Sequence, residues 1–246
     1  MTKINTKQPI IAWYSCGATS AIATMLALRK FSNVIIYRII TGSEHPDNER
    51  FMQECEDKLF HQKVIVARSD KYTNVTDVLL KKRFINSPFG ASCTYELKKK
   101  VRYKIEDEIR CWTGQIYGFD ASERKRASRF VEQYPASKPI FPLIDHNLSK
   151  SDCLAILAQL GIELPTMYRL GYNNNNCIGC VKGGMGYWNM IRKDFPVIFQ
   201  QMASLERQIG HSCLKEYFLD ELPPTSGRQP GILPECSIFC ALEFMD

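Results

Sequence analysis

No stretch of this 246-residue chain approaches the ~20 consecutive apolar residues that a bilayer-crossing helix requires, so no membrane span is expected. The opening segment MTKINTKQPI lacks the apolar core of a secretory signal, and the expected location is cytoplasmic. There is no internal repeat, and a composition of 45% hydrophobic and 24% charged residues gives no sign of disorder. The net charge of +6 leans toward anionic ligands but is too small to define a nucleic-acid-binding face. Cysteine, by contrast, is plentiful. Ten cysteines in a chain without secretory features point away from a disulfide framework and toward metal or redox chemistry.

The apolar runs have a regular rhythm. Ile10–Trp13 and Val34–Ile40 read as short buried strands, and Val64–Ala67 and Gln115–Phe119 as a third and a fourth strand. Helical spacing separates them over 48–60, 75–82 and 93–110, with 86–91 as a loop. Lys98, Lys99, Lys100, Arg102 and Lys104 read as a solvated helix face. Strand and helix in alternation predict an α/β fold, a parallel sheet with helices on both faces. After Pro135 the texture changes. A short helix is opened by Ser149 and Asp152 at capping-box spacing and stopped by Gly161. A longer helix follows near 187–208. The expected division is a nucleotide-binding α/β domain over 1–135 and a cysteine-containing helical extension over 136–246.

The most informative segment is Trp13-Tyr14-Ser15-Cys16-Gly17-Ala18-Thr19-Ser20, where a strand runs through small residues into a helix. Such a junction aims helix-terminal N–H groups and the positive end of the dipole at one point, a natural anion site. In parallel sheets ligands sit beyond the carboxyl ends of strands. The loop at 15–20, Thr41–Asp47 and Gly118–Arg126 are therefore expected to converge on one site. Arg124 and Arg126 offer guanidinium forks suited to phosphate or sulfate. Glu44, His45 and Asp47 suit orienting a ribose, a Mg²⁺ ion or a water.

The loop resembles the S-G-G-x-D-S pyrophosphate loop (PP-loop) of the adenine nucleotide alpha-hydrolase superfamily, with Cys16 for the first Gly and Thr19 for the Asp. Thr41-Gly42-Ser43-Glu44-His45-Pro46-Asp47 is similar to the D-T-G-x-x-x-P-E-T stretch of phosphoadenosine phosphosulfate (PAPS) reductases. Gly118 through Arg126 is similar to their G-x-R-x-x-E-S-x-x-R region, with Asp120 where an Arg is usual. Pro142-Leu143, Leu164-Pro165, Tyr168 and Gly171-Tyr172 follow in the order those proteins show before a C-x-x-C. The resemblance covers roughly residues 10–180. It implies a PAPS reductase-like fold and an adenine nucleotide, ATP or a sulfonucleotide, held by Ser15, Cys16, Gly17, Ala18, Thr19, Ser20, Thr41, Gly42, Glu44, Gly118, Arg124 and Arg126.

Two cysteine pairs carry the second expectation. Cys177-Ile178-Gly179-Cys180 and Cys236-Ser237-Ile238-Phe239-Cys240 have the spacing of a four-thiolate site for an iron–sulfur cluster or Zn²⁺. Resemblance to superfamily members that thiolate nucleic acid or reduce adenylyl sulfate tilts this toward 4Fe–4S. Cys93, at a predicted helix start before a basic run, is the candidate catalytic thiol. Cys55, Cys111, Cys153 and Cys213 read as core. The E-C-G-x-H tail of thioredoxin-dependent reductases is only faintly echoed by Glu235-Cys236-Ser237, which argues against PAPS reduction itself. The expected activity is sulfur transfer or reduction by a reductase or an ATP-dependent sulfurtransferase. A nucleic-acid acceptor and a sulfur donor or thioredoxin-like reductant are the partners this would need. The competing expectation is a non-catalytic nucleotide- or nucleic-acid-binding subunit of a modification system.

Overall fold

The computed structural model describes residues 3–87 and 90–228. Its strands are β1 (Ile10–Trp13), β2 (Val34–Ile39), β3 (Ile65–Ala67), β4 (Asn86–Ser87), β5 (Gly90–Ala91), β6 (Gly114–Ile116) and β7 (Pro139–Ile140). Its α-helices are α1 (Ala18–Lys30), α2 (Asn48–Cys55), α3 (Val75–Lys82), α4 (Ser92–Thr94), α5 (Lys100–Ile109), α6 (Arg124–Gln133), α7 (Pro142–Asp145), α8 (Lys150–Gln159), α9 (Thr166–Arg169), α10 (Met185–Asp194) and α11 (Pro196–Ile209). No described helix is long and apolar enough to cross a membrane.

The described chain forms two compact units interleaved in sequence. The first comprises 3–39, 46–67 and 103–166; the second comprises 40–45, 68–87, 90–102 and 167–228. The texture change at Pro135 falls inside the first unit.

The first unit is built on a five-stranded sheet in the order β3-β2-β1-β6-β7. Every pairing is parallel, with Ile11 opposite both Ile35 and Gln115. This is the expected α/β class. Ile10, Ile11 and Ala12 are completely buried, so both faces of β1 are covered. β3 lies at one edge with Ile65 and Val66 partly exposed. β7 closes the other edge, where Pro139 costs little because an edge strand can spare a donor. Order reverses at β1, since β2 lies on one side and β6 on the other, which makes the end of β1 the topological switch point. The predicted Ser149–Asp152 capping box is present, with Ser149 N donating to Asp152 at 2.8 Å, and Gly161 takes φ +64° at the helix end.

The second unit is a helical core in which Val78, Leu79, Ile85, Trp188, Ile191 and Leu219 are buried together. α10 and α11 pack on each other, and α3 packs on α11. Asn74 caps α3 by accepting from Asp77 N at 2.8 Å. Gly210 ends α11 in the left-handed conformation at φ +79°.

Several local expectations change. The helix over 48–60 becomes π-helical at Glu56–Phe60, and that over 93–110 is π-helical at Tyr95–Lys99. The loop at 86–91 contains the antiparallel pair β4–β5. The basic run is not a uniformly solvated face. Lys99 is 9% and Arg102 2% exposed, while Lys100 pairs with the buried Glu96 at 2.9 Å. Cys55 and Cys153 are core, but Cys111 is exposed and Cys213 only half-buried.

Candidate functional site

In the first unit, Ser15–Ser20 occupies the switch point. Gly17 caps α1 with an extended backbone and no side-chain capping bond, and the first turn carries no acidic residue. The positive end of the helix is thus not neutralised by a carboxylate from its own first turn. Ser20 organises the loop: its Oγ accepts from Ser15 N at 3.1 Å, contacts Ser15 Oγ at 3.1 Å and donates to Gly17 O at 2.9 Å. Cys16, Thr19 and Ser20 are buried, while Ser15 is exposed. Cys16 stands at φ +61°, the left-handed region that favours glycine. Its Sγ faces Asn48 O at 3.7 Å. The buried Tyr14 hydroxyl and the Cys55 thiol adjoin it, and burial pushes Cys55 up to about 12, so it stays a neutral thiol.

Gly118 belongs to the same construction. A Cβ there would lie 2.8 Å from Ser20 N and Cα, so only glycine lets the chain after β6 approach the start of α1. Asp120 has a structural task. Its Oδ1 accepts from Ser122 N at 2.7 Å, and Glu123 returns a bond to Asp120 N at 3.0 Å, a capping box opening the turn into α6. The two arginines are engaged by protein groups. Arg126 is 8% exposed, ion-paired with Glu123 and stacked 4.3 Å from the Phe119 ring centre. Burial raises the pKa of the Glu123 carboxyl despite that pairing. Arg124 is exposed, and its Nη2 donates to Ile144 O at 3.2 Å and Asn147 Oδ1 at 3.0 Å. Asp47 holds Arg50 through bonds of 2.7 and 3.0 Å and accepts from Thr166 N at 2.8 Å.

The second unit gathers the turn after β2 and the C-x-x-C loop. Glu44 folds back on its own turn, accepting from Thr41 N at 2.8 Å and Ser43 N at 3.2 Å. Gly42, at φ +71°, fits where a Cβ would meet Thr73 O at 2.1 Å. Ser43 joins three segments: its carbonyl accepts from Ile178 N at 2.8 Å and its Oγ from Val75 N at 3.1 Å. Thr41 Oγ1 lies 3.0 Å from Cys177 Sγ. His45 packs its ring edge-on to Phe195, with ring centres 6.0 Å apart.

Cys93, Cys177 and Cys180 wall one small cavity of about 20 Å³ together with Thr41, Val75, Thr94, Lys98 and Val181. The cysteine expected to act alone is thus grouped with the C-x-x-C. Tyr187 was not indicated by the sequence pattern, because only the tertiary fold brings its hydroxyl to Cys180 N and Cys177 O. The donors are the thiols that iron–sulfur clusters and zinc prefer. No group of three or more His, Cys, Asp or Glu among the described residues is arranged to hold a metal ion. Cys236 and Cys240 lie outside the described residues.

No family model matches the chain. It is 21% identical over 208 residues to an uncharacterized protein of Methanocaldococcus jannaschii, a match covering 82% of this chain and 42% of that protein. The matched region is therefore less than half of that relative's length. Among solved structures it is similar to the phosphate complex of phosphoadenylyl-sulfate (PAPS) reductase from Candida auris. That likeness has 13% identity and a TM-score of 0.49, covering 70% of this chain and 82% of the other.

Proposed function

We propose that this chain is a PAPS reductase-like PP-loop enzyme that binds an adenine nucleotide through Ser15–Ser20 and acts in sulfur transfer or reduction. The supporting observation is the start of α1 at the end of a fully buried central strand. Its cap bears no side-chain bond, its first turn bears no acid, and Gly118 is packed against Ser20. A pyrophosphate set there would interact favourably with the helix dipole, and N–H groups would stabilise charge developing on a leaving group. Ser15 and Ser20 would bind or shape the phosphate site. Arg124 and Arg126 would act chiefly through packing and loop order, since protein partners engage both.

The thiols of Cys93, Cys177 and Cys180 are the sulfur-handling group in this reading, with Cys93 kept as the candidate nucleophile. No step is assigned to a metal. Iron and acid-labile sulfide, or stoichiometric zinc, in the full chain isolated anaerobically would assign Cys177 and Cys180, together with Cys236 and Cys240, as ligands.

The test begins with calorimetry of ATP, with and without Mg²⁺, against the full chain and Ser20→Ala. Binding by the parent and at least about tenfold weaker binding by the variant is expected. Absence of ATP and PAPS binding would sink the proposal. Pyrophosphate release dependent on ATP and an acceptor identifies a sulfurtransferase; sulfite release from PAPS with thioredoxin identifies a reductase. The lack of an acidic residue in the first turn of α1 favours a second reading, a nucleotide-binding subunit without turnover. Tight ATP binding with neither product would select it.

A further inference from the structure

A larger cavity, of about 330 Å³, lies wholly within the second unit. It is walled by Asn86 and Ser87 of β4, by Val181–Gly183 just after the C-x-x-C, and by His211–Lys215 after α11. This size falls at the lower end of small-molecule sites, which span roughly 300–1,000 Å³.

The walls are tied together by specific bonds. Asn86 Nδ2 donates to Val181 O at 2.7 Å and to Cys213 O at 3.2 Å, joining all three segments through one side chain. The Asn86 carbonyl accepts from His211 Nε2 at 3.1 Å. Behind the wall, the buried Glu206 carboxylate accepts from Cys213 N at 2.5 Å and Leu219 N at 2.7 Å, fixing the 211–219 loop. A cavity whose walls are bonded in this way is preformed and needs little ordering when a ligand enters.

The lining has a definite chemical sense. Lys182 and Lys215 bring two positive charges, and among the described residues no carboxylate lines the cavity. Cys213 adds no negative charge: the residue is partly exposed, but its thiol is shielded from water beside the Glu206 carboxylate, and both raise its pKa well above the ordinary range. His211 stacks on Phe84 with ring centres 6.4 Å apart and planes 20° from parallel. Two ammonium groups suit a phosphate, which carries close to two charges at neutral pH. A supported flat ring suits a stacked heterocycle.

We propose that this cavity is a second ligand site that takes a ring-bearing phosphomonoester of nucleotide size, with Lys182 and Lys215 on the phosphate and His211 against the ring. The site uses none of the residues of the Ser15–Ser20 loop. A free mononucleotide and the phosphorylated end of a nucleic acid share this chemistry.

The full chain is titrated calorimetrically with UMP, uridine and inorganic phosphate, the pyrimidine avoiding an adenine-selective loop. One UMP is expected per chain, bound at least about tenfold more tightly than either fragment. Lys182→Glu combined with Lys215→Glu should weaken UMP at least about tenfold, and His211→Ala a few-fold. Ser20→Ala should leave UMP affinity unchanged while weakening ATP, so failure here is distinguishable from failure of the nucleotide-loop reading. Absence of UMP binding, UMP affinity unchanged in the double variant, or its loss in Ser20→Ala overturns the proposal. If the double variant does not fold, acylation of the parent protein decides: UMP must protect the Lys182 and Lys215 amines, and lack of protection overturns it. A 5′-phosphorylated oligouridylate binding more tightly than UMP supports the site and assigns it to a nucleic-acid end. Equal or weaker oligonucleotide binding, with UMP bound as expected, assigns it to the free nucleotide.

Discussion

The Tyr187 hydroxyl accepts a 2.8 Å hydrogen bond from Cys180 N and donates one of 3.0 Å to Cys177 O. One buried phenol thereby spans the C-x-x-C loop. Burial raises the Tyr187 pKa far above its usual range, so the group stays a neutral donor. Tyr187→Phe removes both bonds while keeping the ring. It is expected to cost about 1–3 kcal/mol in chemical denaturation and to speed maleimide labelling of Cys177. Unchanged stability and labelling would show that the loop is held by other contacts.

Gly118→Ala places a Cβ 2.8 Å from the backbone of Ser20, where no flexible side chain can yield. The start of α1 must shift. A loss of about 1–3 kcal/mol in stability is expected, with ATP affinity falling alongside it in calorimetry. A fully stable variant with parental ATP affinity would contradict the close approach as the reason for this glycine.

The backbone at Cys16 permits a comparison that isolates one effect. Cys16→Gly and Cys16→Ala both delete the buried thiol, but only glycine accepts φ +61° without strain. The glycine variant should be the more stable of the two by about 0.5–1 kcal/mol, even after its greater unfolded-state entropy. Equal thermal midpoints would show that residue 16 does not hold this conformation.

Arg50 is the main cause that lowers the Asp47 carboxyl below the ordinary carboxylate range, with Thr166 adding to it and burial opposing. A depressed native pKa stabilises the fold above the unfolded carboxylate range, and the gain disappears as pH falls through the native value. Asp47→Asn should cost about 1–2 kcal/mol near neutral pH. The gap between its denaturation midpoint and that of the parent should begin to narrow as pH falls below roughly 4, and close only as pH passes the depressed native value. A pH-independent difference between the two proteins would refute this assignment.

The sheet was legible because its strands are compact apolar runs. Val34–Ile39 is β-branched and bounded by turn residues, and Ile10–Trp13 enters a loop of small residues. β7 gave no signal, being two residues long beside a proline. The π-helical turns were hidden because a single i→i+5 shift leaves the apolar spacing nearly unchanged. Lys99 and Arg102 misled because a basic run suggests solvent, while long side chains can be buried along their stems. The Ser15–Ser20 loop and Gly118 could be found from the sequence. The grouping of Cys93 with Cys177 and Cys180 could not, because it depends on segments more than 80 positions apart.

The interleaving of the two units sets an order on biosynthesis. The chain passes between them five times, after residues 39, 45, 67, 102 and 166. Every segment of the first unit has been made once residue 166 leaves the ribosome. Val78, Leu79 and Ile85 have by then emerged, but their core partners Trp188, Ile191 and Leu219 have not. For that interval a nascent chain with every strand of the sheet already made carries apolar residues still lacking their cover. The second core therefore cannot close before Leu219 and Leu222 have been made, some eighty positions after the last strand of the sheet.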